Sequence, residues 1–192
     1  MTKGTLATRP RWRRRLFLLA LLAAFGALGL QAFWFEPSQL VIQRVSPTWR
    51  GPALKVALLS DLHIGAPHVG LEKLRQVVEQ VNGESPDVVM LAGDFVTRGV
   101  LGGRLVEPEP IAQELSQLRA PLGVVAVLGN HDWWYDGPRV IHAFRAAGIR
   151  VLEDEAAQVE SGGKPLWFVG LSDQWTQEAN WQAALHKVGD GA

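Results

Sequence analysis

Cysteine is missing from all 192 residues, which excludes disulfides, thiolate nucleophiles and cysteine-ligated zinc and leaves the redox compartment open. Net charge is missing too, because 19 basic residues balance 19 acidic ones. The balance is uneven along the chain. Lys3, Arg9, Arg11, Arg13, Arg14 and Arg15 put six cations and no acid in the first 15 residues, which leaves a body of net −6. An acidic body is a poor surface for nucleic acid, and no nucleic-acid partner is expected. A charged fraction of only 20% against 47% hydrophobic residues excludes a disordered chain. The length allows one ordinary domain, alone or with a short appendage.

Long uncharged runs occur in one place. Residues 16–35, from Leu16 to Phe35, are 20 consecutive uncharged residues, enough to cross a hydrocarbon core of roughly 30 Å as a helix. The basic flank, residues 1–15, precedes this run, and Phe33, Trp34 and Phe35 end it as an interfacial aromatic belt. The asymmetry predicts a single-pass anchor in the inner (cytoplasmic) membrane with the body outside the cytoplasm. Arg14-Arg15-Leu16-Phe17-Leu18 also resembles the twin-arginine export pattern. The small residues around Ala27, Gly29, Leu30 and Ala32 form only passable cleavage positions, so an anchor or uncleaved export signal is expected over a cut one. Residues 36–52, with Pro37, Pro47, Gly51 and Pro52, read as a linker carrying one short edge strand, Leu40–Val45.

The globular body, residues 53–192, alternates strands and helices. Apolar runs end at Ser60, Ala92 and Leu128. Helical spacing joins Leu71, Leu74, Val77, Val78 and Val81, then Ile111, Leu115 and Leu118 from about Glu109 to Arg119, then Val140, Ile141, Phe144 and Ala147 from near Pro138. Short strands follow at Gln158–Glu160 and Leu166–Val169, joined by Ser161-Gly162-Gly163-Lys164, and a last helix is expected over Glu178–Val188. This order predicts an α/β fold with a largely parallel sheet flanked by helices, in which ligands gather at the carboxyl ends of the strands.

Ligand-type side chains sit at those three strand ends. Asp61 and His63 flank Leu62, so an extended backbone would aim both to one side as an oxygen and imidazole pair for a transition-metal dication. Alone, Asp-x-His also arises as a helix cap beside a surface histidine. Asp94 follows Gly93, which permits close backbone approach and leaves both carboxylate oxygens free to bridge two metals; a turn-capping Asp is the bland alternative. After Gly129, Asn130 offers a neutral carbonyl oxygen, His131 can carry a proton, and Asp132 is expected to accept a hydrogen bond from the histidine and fix its tautomer. Trp133, Trp134 and Tyr135 either line a substrate groove or pack the next helix, and His68 lies in the loop after the first piece.

Together, Asp61-Leu62-His63, Gly93-Asp94 and Gly129-Asn130-His131-Asp132, separated by 31 to 36 residues, resemble the calcineurin-like metallophosphoesterases. The uncharged N-terminal run and Gly170-Leu171-Ser172-Asp173 before a helix look like that family's membrane-associated bacterial branch. The resemblance implies a sandwich built on a parallel sheet and two divalent transition-metal ions, Mn, Fe or Zn. Asp61 and His63 would hold the first ion, Asp94 would bridge both, and Asn130 would hold the second. His131 would act as general acid or charge stabiliser, and Arg98, four residues after Asp94, matches a phosphate-binding arginine. The implied reaction is phosphomonoester or phosphodiester hydrolysis by a water activated between two metals. The membrane anchor and Trp133-Trp134 point to a lipid-linked or nucleotide-linked phosphate ester as substrate.

The family's later blocks, a single His and then Gly-His-x-His, are absent. After His131 the only histidines are His142 and His186, neither of which ends a buried strand. The expectation is therefore a C-terminally incomplete domain with an unpaired sheet edge. The alternative is a non-catalytic membrane protein, either truncated or one half of a split phosphoesterase.

Overall fold

The computed structural model describes residues 11–186 and Val188. Lys3 and Arg9 of the basic flank, and the end of the last helix beyond His186 save Val188, lie outside the described residues. The chain divides into two compact units, one ending at Val45 and the other beginning at Ser46.

In the first unit one helix, α1 (Arg11–Ser38), covers 28 residues and has none of its apolar stretch buried. By length and composition it could cross a membrane. It begins before the uncharged run, so Arg11, Arg13, Arg14 and Arg15 form its first turns, and it widens to π-helical bonding over Gln31–Phe35 ahead of Pro37. The expected edge strand at Leu40–Val45 does not form. These residues meet no strand to pair with, and Val41 and Val45 remain exposed. Apolar alternation without a neighbouring ladder has no hydrogen-bond partners to hold it extended.

The second unit is organised on a four-stranded parallel sheet in the order β1 (Val56–Leu59), β2 (Val88–Ala92), β3 (Val124–Val127) and β4 (Arg150–Val151). The strand order is the chain order, with α2 (Leu71–Gly83), α3 (Pro108–Leu115) and α4 (Asn130–Ala146) as the three crossovers. Alternation along β2 separates two cores. Val89 and Leu91 join Leu74 and Val78 of α2, Ile111 and Leu115 of α3, and Val140 and Phe144 of α4. Val88 and Met90 face the other way, onto Phe168 and Leu166 of an antiparallel hairpin, β5 (Glu155–Ser161) and β6 (Lys164–Gly170). The hairpin is thus a second layer under a helix-covered sheet. It does not cover β1, whose Val56 and Leu58 stay exposed beside the sheet edge.

Three boundaries differ from the sequence-based expectation. Helix α3 ends at Leu115, and Leu118 is buried from the turn that follows rather than from helix. The last helix, α5 (Trp181–His186), starts three residues later than Glu178, where Asn180 Oδ1 accepts the Ala183 amide at 2.9 Å as an N-cap. Helix α4 begins at Asn130, eight residues before Pro138, so Asn130-His131-Asp132 is the first turn of a helix and not a free turn. Pro138 does leave its mark. Asp136 departs to φ −170° and ψ 81°, and its carboxylate accepts the Arg139 amide at 3.1 Å, capping a second helical segment. Asp136→Ala is expected to cost about 0.5–2 kcal/mol in urea unfolding, the usual value of an N-cap. A change within error would mean that Pro138 alone sets the break.

Candidate metal centre

The three ligand pieces meet at the carboxyl edge of the sheet. Asp61 and His63 follow β1, and Gly93 and Asp94 follow β2. The Asp61 amide donates to the Gly93 carbonyl at 3.2 Å, and the His63 amide donates to the Asp94 carbonyl at 2.8 Å. These bonds, with the Ile64–Val96 bridge beyond them, prolong the parallel pairing past the strands in irregular form. The backbone here is left-handed rather than extended: φ is 53° at Asp61, 42° at His63 and 57° at Asp94. Non-glycine residues avoid that region, and such conformations concentrate at functional sites. Asp61 and His63 therefore do come together, with His63 Nε2 at 3.9 Å from Asp61 Oδ1, but through two left-handed residues and not through strand alternation.

Two glycines let the β2 and β3 ends touch. A Cβ on Gly93, itself at φ 80°, would lie 2.4 Å from the Gly129 nitrogen, and one on Gly129 would lie 2.2 Å from Asp94 Oδ1. This close approach puts the first turn of α4 over Asp94. The His131 amide donates to Asp94 Oδ1 at 2.9 Å, and Asp94 Oδ2 lies 3.8 Å from His63 Nε2. The rings of His63 and His131 stand edge to face with centroids 4.7 Å apart. Ligand atoms of His63, Asp94 and His131 all fall within 4.8 Å of one another. Two imidazoles and a carboxylate, with the Asp61 carboxylate beside them, suit a divalent transition metal.

Asp132 does not serve the histidine. Its carboxylate is fully buried and accepts four backbone amides, from Asp94 at 2.9 Å, Phe95 at 2.9 Å, Val96 at 3.0 Å and Gly129 at 3.0 Å. As the third residue of α4 it points back to the helix start, where helical geometry and the positive end of the helix dipole favour a carboxylate. It therefore ties the loop after β2 to the loop after β3. Burial, the largest influence, pushes this carboxyl up to about 6 against the opposing pull of the amide donors. The folded state then holds the proton more tightly than the unfolded chain, so ionising this group lowers stability as pH rises from about 4 through 6, while its bonds to the four amides remain.

Other residues singled out in the sequence fall at varied distances from the cluster. Asn130 is the first residue of α4, next to His131, and is partly buried. Arg98 is exposed two residues past the Val96 bridge and has no ion pair with the cluster. Of the three aromatics, Trp133 and Tyr135 pack against the core, whereas Trp134 is 59% exposed with its ring 5.0 Å from that of His131. His68, His142 and His186 are exposed and outside the group formed by His63, Asp94 and His131. The Gly170-Leu171-Ser172-Asp173 block is the end of β6 and the loop after it: the Ser172 amide donates to Asp154 at 3.0 Å, and Asp173 accepts the Thr176 amide and hydroxyl.

Two contributors carry no sequence signal. The Ser60 hydroxyl donates to Asp61 Oδ2 and lies 3.3 Å from the Ala92 carbonyl, holding the first ligand loop to β2. Glu153, after β4, accepts the Leu128 amide at 3.2 Å with its other oxygen buried, and burial raises its pKa.

Residues 54–182 match the family model described as calcineurin-like phosphoesterase. An uncharacterized metallophosphoesterase of Aquifex aeolicus is 29% identical over 169 residues, covering 83% of this chain and 61% of that protein. A transmembrane protein with metallophosphoesterase domain from Danio rerio is 31% identical over 150 residues, 75% of this chain and 32% of its own length. The UDP-2,3-diacylglucosamine pyrophosphatase LpxG of Chlamydia trachomatis is 34% identical over 134 residues, 65% of this chain and 38% of its own. The chain spans less than two thirds of each of these relatives. With its sheet, its three ligand loops and a match over most of its length, the chain belongs to the calcineurin-like phosphoesterase family.

Proposed function

We propose that this chain hydrolyses phosphoric esters with divalent metal ions at the face of a membrane. The observation that carries the reading is the convergence of His63, Asp94 and His131, from three separate strand ends, to within 4.8 Å. In this reading Asp61 and His63 hold a first ion, Asp94 bridges to a second, and Asn130 completes the second site. When bound, the ions supply Lewis acidity toward a phosphoryl oxygen and lower the pKa of a water. The protein's own part is positional. The His131 amide fixes the Asp94 carboxylate, Asp132 fixes the loop that carries Asp94, and the His131 ring stands by to donate a proton to the leaving oxygen. Arg98 is the candidate for steadying the substrate phosphate.

The proposed substrate class, a lipid-linked phosphate ester, is supported by the candidate span α1 and by the similarity to LpxG, named a UDP-2,3-diacylglucosamine pyrophosphatase. A single-pass anchor in the inner membrane, with the catalytic domain outside the cytoplasm, is the topology that the basic N-terminal flank favours.

The full chain, stripped with chelator and resupplied with manganese, is expected to hydrolyse bis(p-nitrophenyl) phosphate, with UDP-2,3-diacylglucosamine in detergent as the lipid-linked test. Folded protein that binds metal yet turns over neither ester would overturn the hydrolase reading for this chain alone. His131→Gln should lower turnover by about 10²- to 10⁴-fold, the range of a positioned general acid, at unchanged metal content. Loss of metal from that variant would instead make His131 a ligand.

A further inference from the structure

We propose that the loop from Arg98 to Arg104 is a membrane-interface element that seats the metal centre against an anionic bilayer. The inference rests on reading α1 as a membrane span and goes beyond hydrolysis, since it concerns how the body meets the lipid surface.

The loop leaves the Ile64–Val96 bridge and turns at Val100-Leu101-Gly102-Gly103, where the Gly103 amide donates to the Val100 carbonyl at 3.0 Å and Gly102 adopts φ 76°. A positive φ at the third position is the mark of a type II turn, which places Leu101 at the outermost corner. Leu101 is 96% exposed, and Val100 beside it is exposed as well. A free apolar tip would be an odd ornament on a flexible loop, but this loop is built. The Arg104 amide donates to the Gly65 carbonyl at 2.7 Å, and the backbones approach so closely that a Cβ on Gly65 would lie 2.2 Å from the Arg104 carbonyl oxygen. Gly65 lies two residues after His63, so the tip is held rigidly relative to the ligand loop.

Charge picks out the same segment. The body is net −6, yet Thr97-Arg98-Gly99-Val100-Leu101-Gly102-Gly103-Arg104-Leu105-Val106 contains two arginines and no acid. Both guanidiniums are exposed, and neither forms an ion pair among the described residues. An apolar tip between two cations matches the boundary between acyl chains and anionic headgroups. Trp134, next to His131, and Trp175, after β6, are also exposed large apolar groups that follow carboxyl strand ends. Read as a membrane span, α1 would bring the body to a bilayer.

The absence of cysteine makes the test direct. Three single-cysteine variants of the full chain, Leu101→Cys, Leu22→Cys and Lys164→Cys, would be labelled with an environment-sensitive fluorophore and reconstituted into nanodiscs containing phosphatidylglycerol and a spin-labelled quencher lipid. Lys164 is exposed at the hairpin turn, at the end of β6 away from the metal centre, and reports any general contact with lipid. Emission at positions 101 and 22 should shift to the blue and be quenched, while position 164 stays unquenched. The shift at 101 should shrink when phosphatidylcholine replaces phosphatidylglycerol. Quenching at 22 alone overturns the loop proposal and leaves the span intact; quenching at neither overturns both. Equal quenching at 101 and 164 also overturns it, because that would be contact without a preferred face.

Discussion

Asp94→Asn is expected to remove metal-dependent hydrolysis while leaving the fold in place. The substitution isolates chemistry from structure for a reason visible in the backbone. Asp94 sits at φ 57°, and after glycine, asparagine and aspartate are the residues that tolerate this region best. The asparagine carbonyl oxygen can take the place of Oδ1 and keep accepting the His131 amide, now at 2.9 Å. Its NH₂ group then takes the place of Oδ2, which lies 3.8 Å from His63 Nε2. The site loses a negative charge and the lone pair that faces the cluster, and gains a donor where a cation would sit. The loss should therefore exceed the roughly 10- to 100-fold that changes in outer-shell partners typically cause. Metal content and kcat/KM measured on the full chain, with urea unfolding as control, check this. Wild-type turnover in a variant of unchanged stability would remove Asp94 from the proposed bridge.

Most of the scaffold was legible because its signals are local. The β-branched runs before Ser60, Gly93 and Gly129 became three adjacent parallel strands, and Gly162-Gly163 between two apolar runs became the hairpin turn. The expected helix over Leu71–Val81 formed with Leu74 and Val78 buried. What escaped depends on partners distant in sequence. Leu40–Val45 alternates like an edge strand, but no ladder reaches it. The spacing predicts a helix start near Pro138, which hides a helix already running from Asn130 because one capping aspartate, Asp136, absorbs the break. The site was legible in composition and not in conformation. Aspartate and histidine tolerate left-handed φ, but nothing local requires it at Asp61, His63 and Asp94, where the amides of Asp61 and His63 bond to the loop after β2. Adjacency pairs Asp132 with the histidine beside it, whereas three of its four donors lie 36 to 38 residues earlier.

Those four donors make Asp132→Ala the most damaging single change for stability. The carboxylate has two oxygens and two amides on each, Phe95 and Val96 on one, Asp94 and Gly129 on the other. Truncation to alanine strands four N–H groups at a position with no solvent exposure, and each orphaned donor costs about 1–3 kcal/mol. The terms do not add fully, because a water can enter the vacated space and removal of a buried charge recovers part of its desolvation cost. A net loss of about 3–5 kcal/mol is expected, comparable to breaking a buried ionic group from its partners and a large share of a domain's stability. Asp132→Asn should fall between, since its NH₂ group opposes one pair of amides while its oxygen still serves the other. The two variants also separate a staple from a mere core residue. If Asp132 holds the Asp94 loop to the start of α4, both changes should weaken manganese binding as well as stability, because Asp94 and Asn130, the first residue of α4, lose their fixed separation. Urea unfolding of the apo chain and calorimetric metal titration measure the two effects independently. A destabilised Asp132→Asn that binds metal as tightly as the parent would confine Asp132 to packing and leave the close approach at Gly93 and Gly129 as what aligns the site.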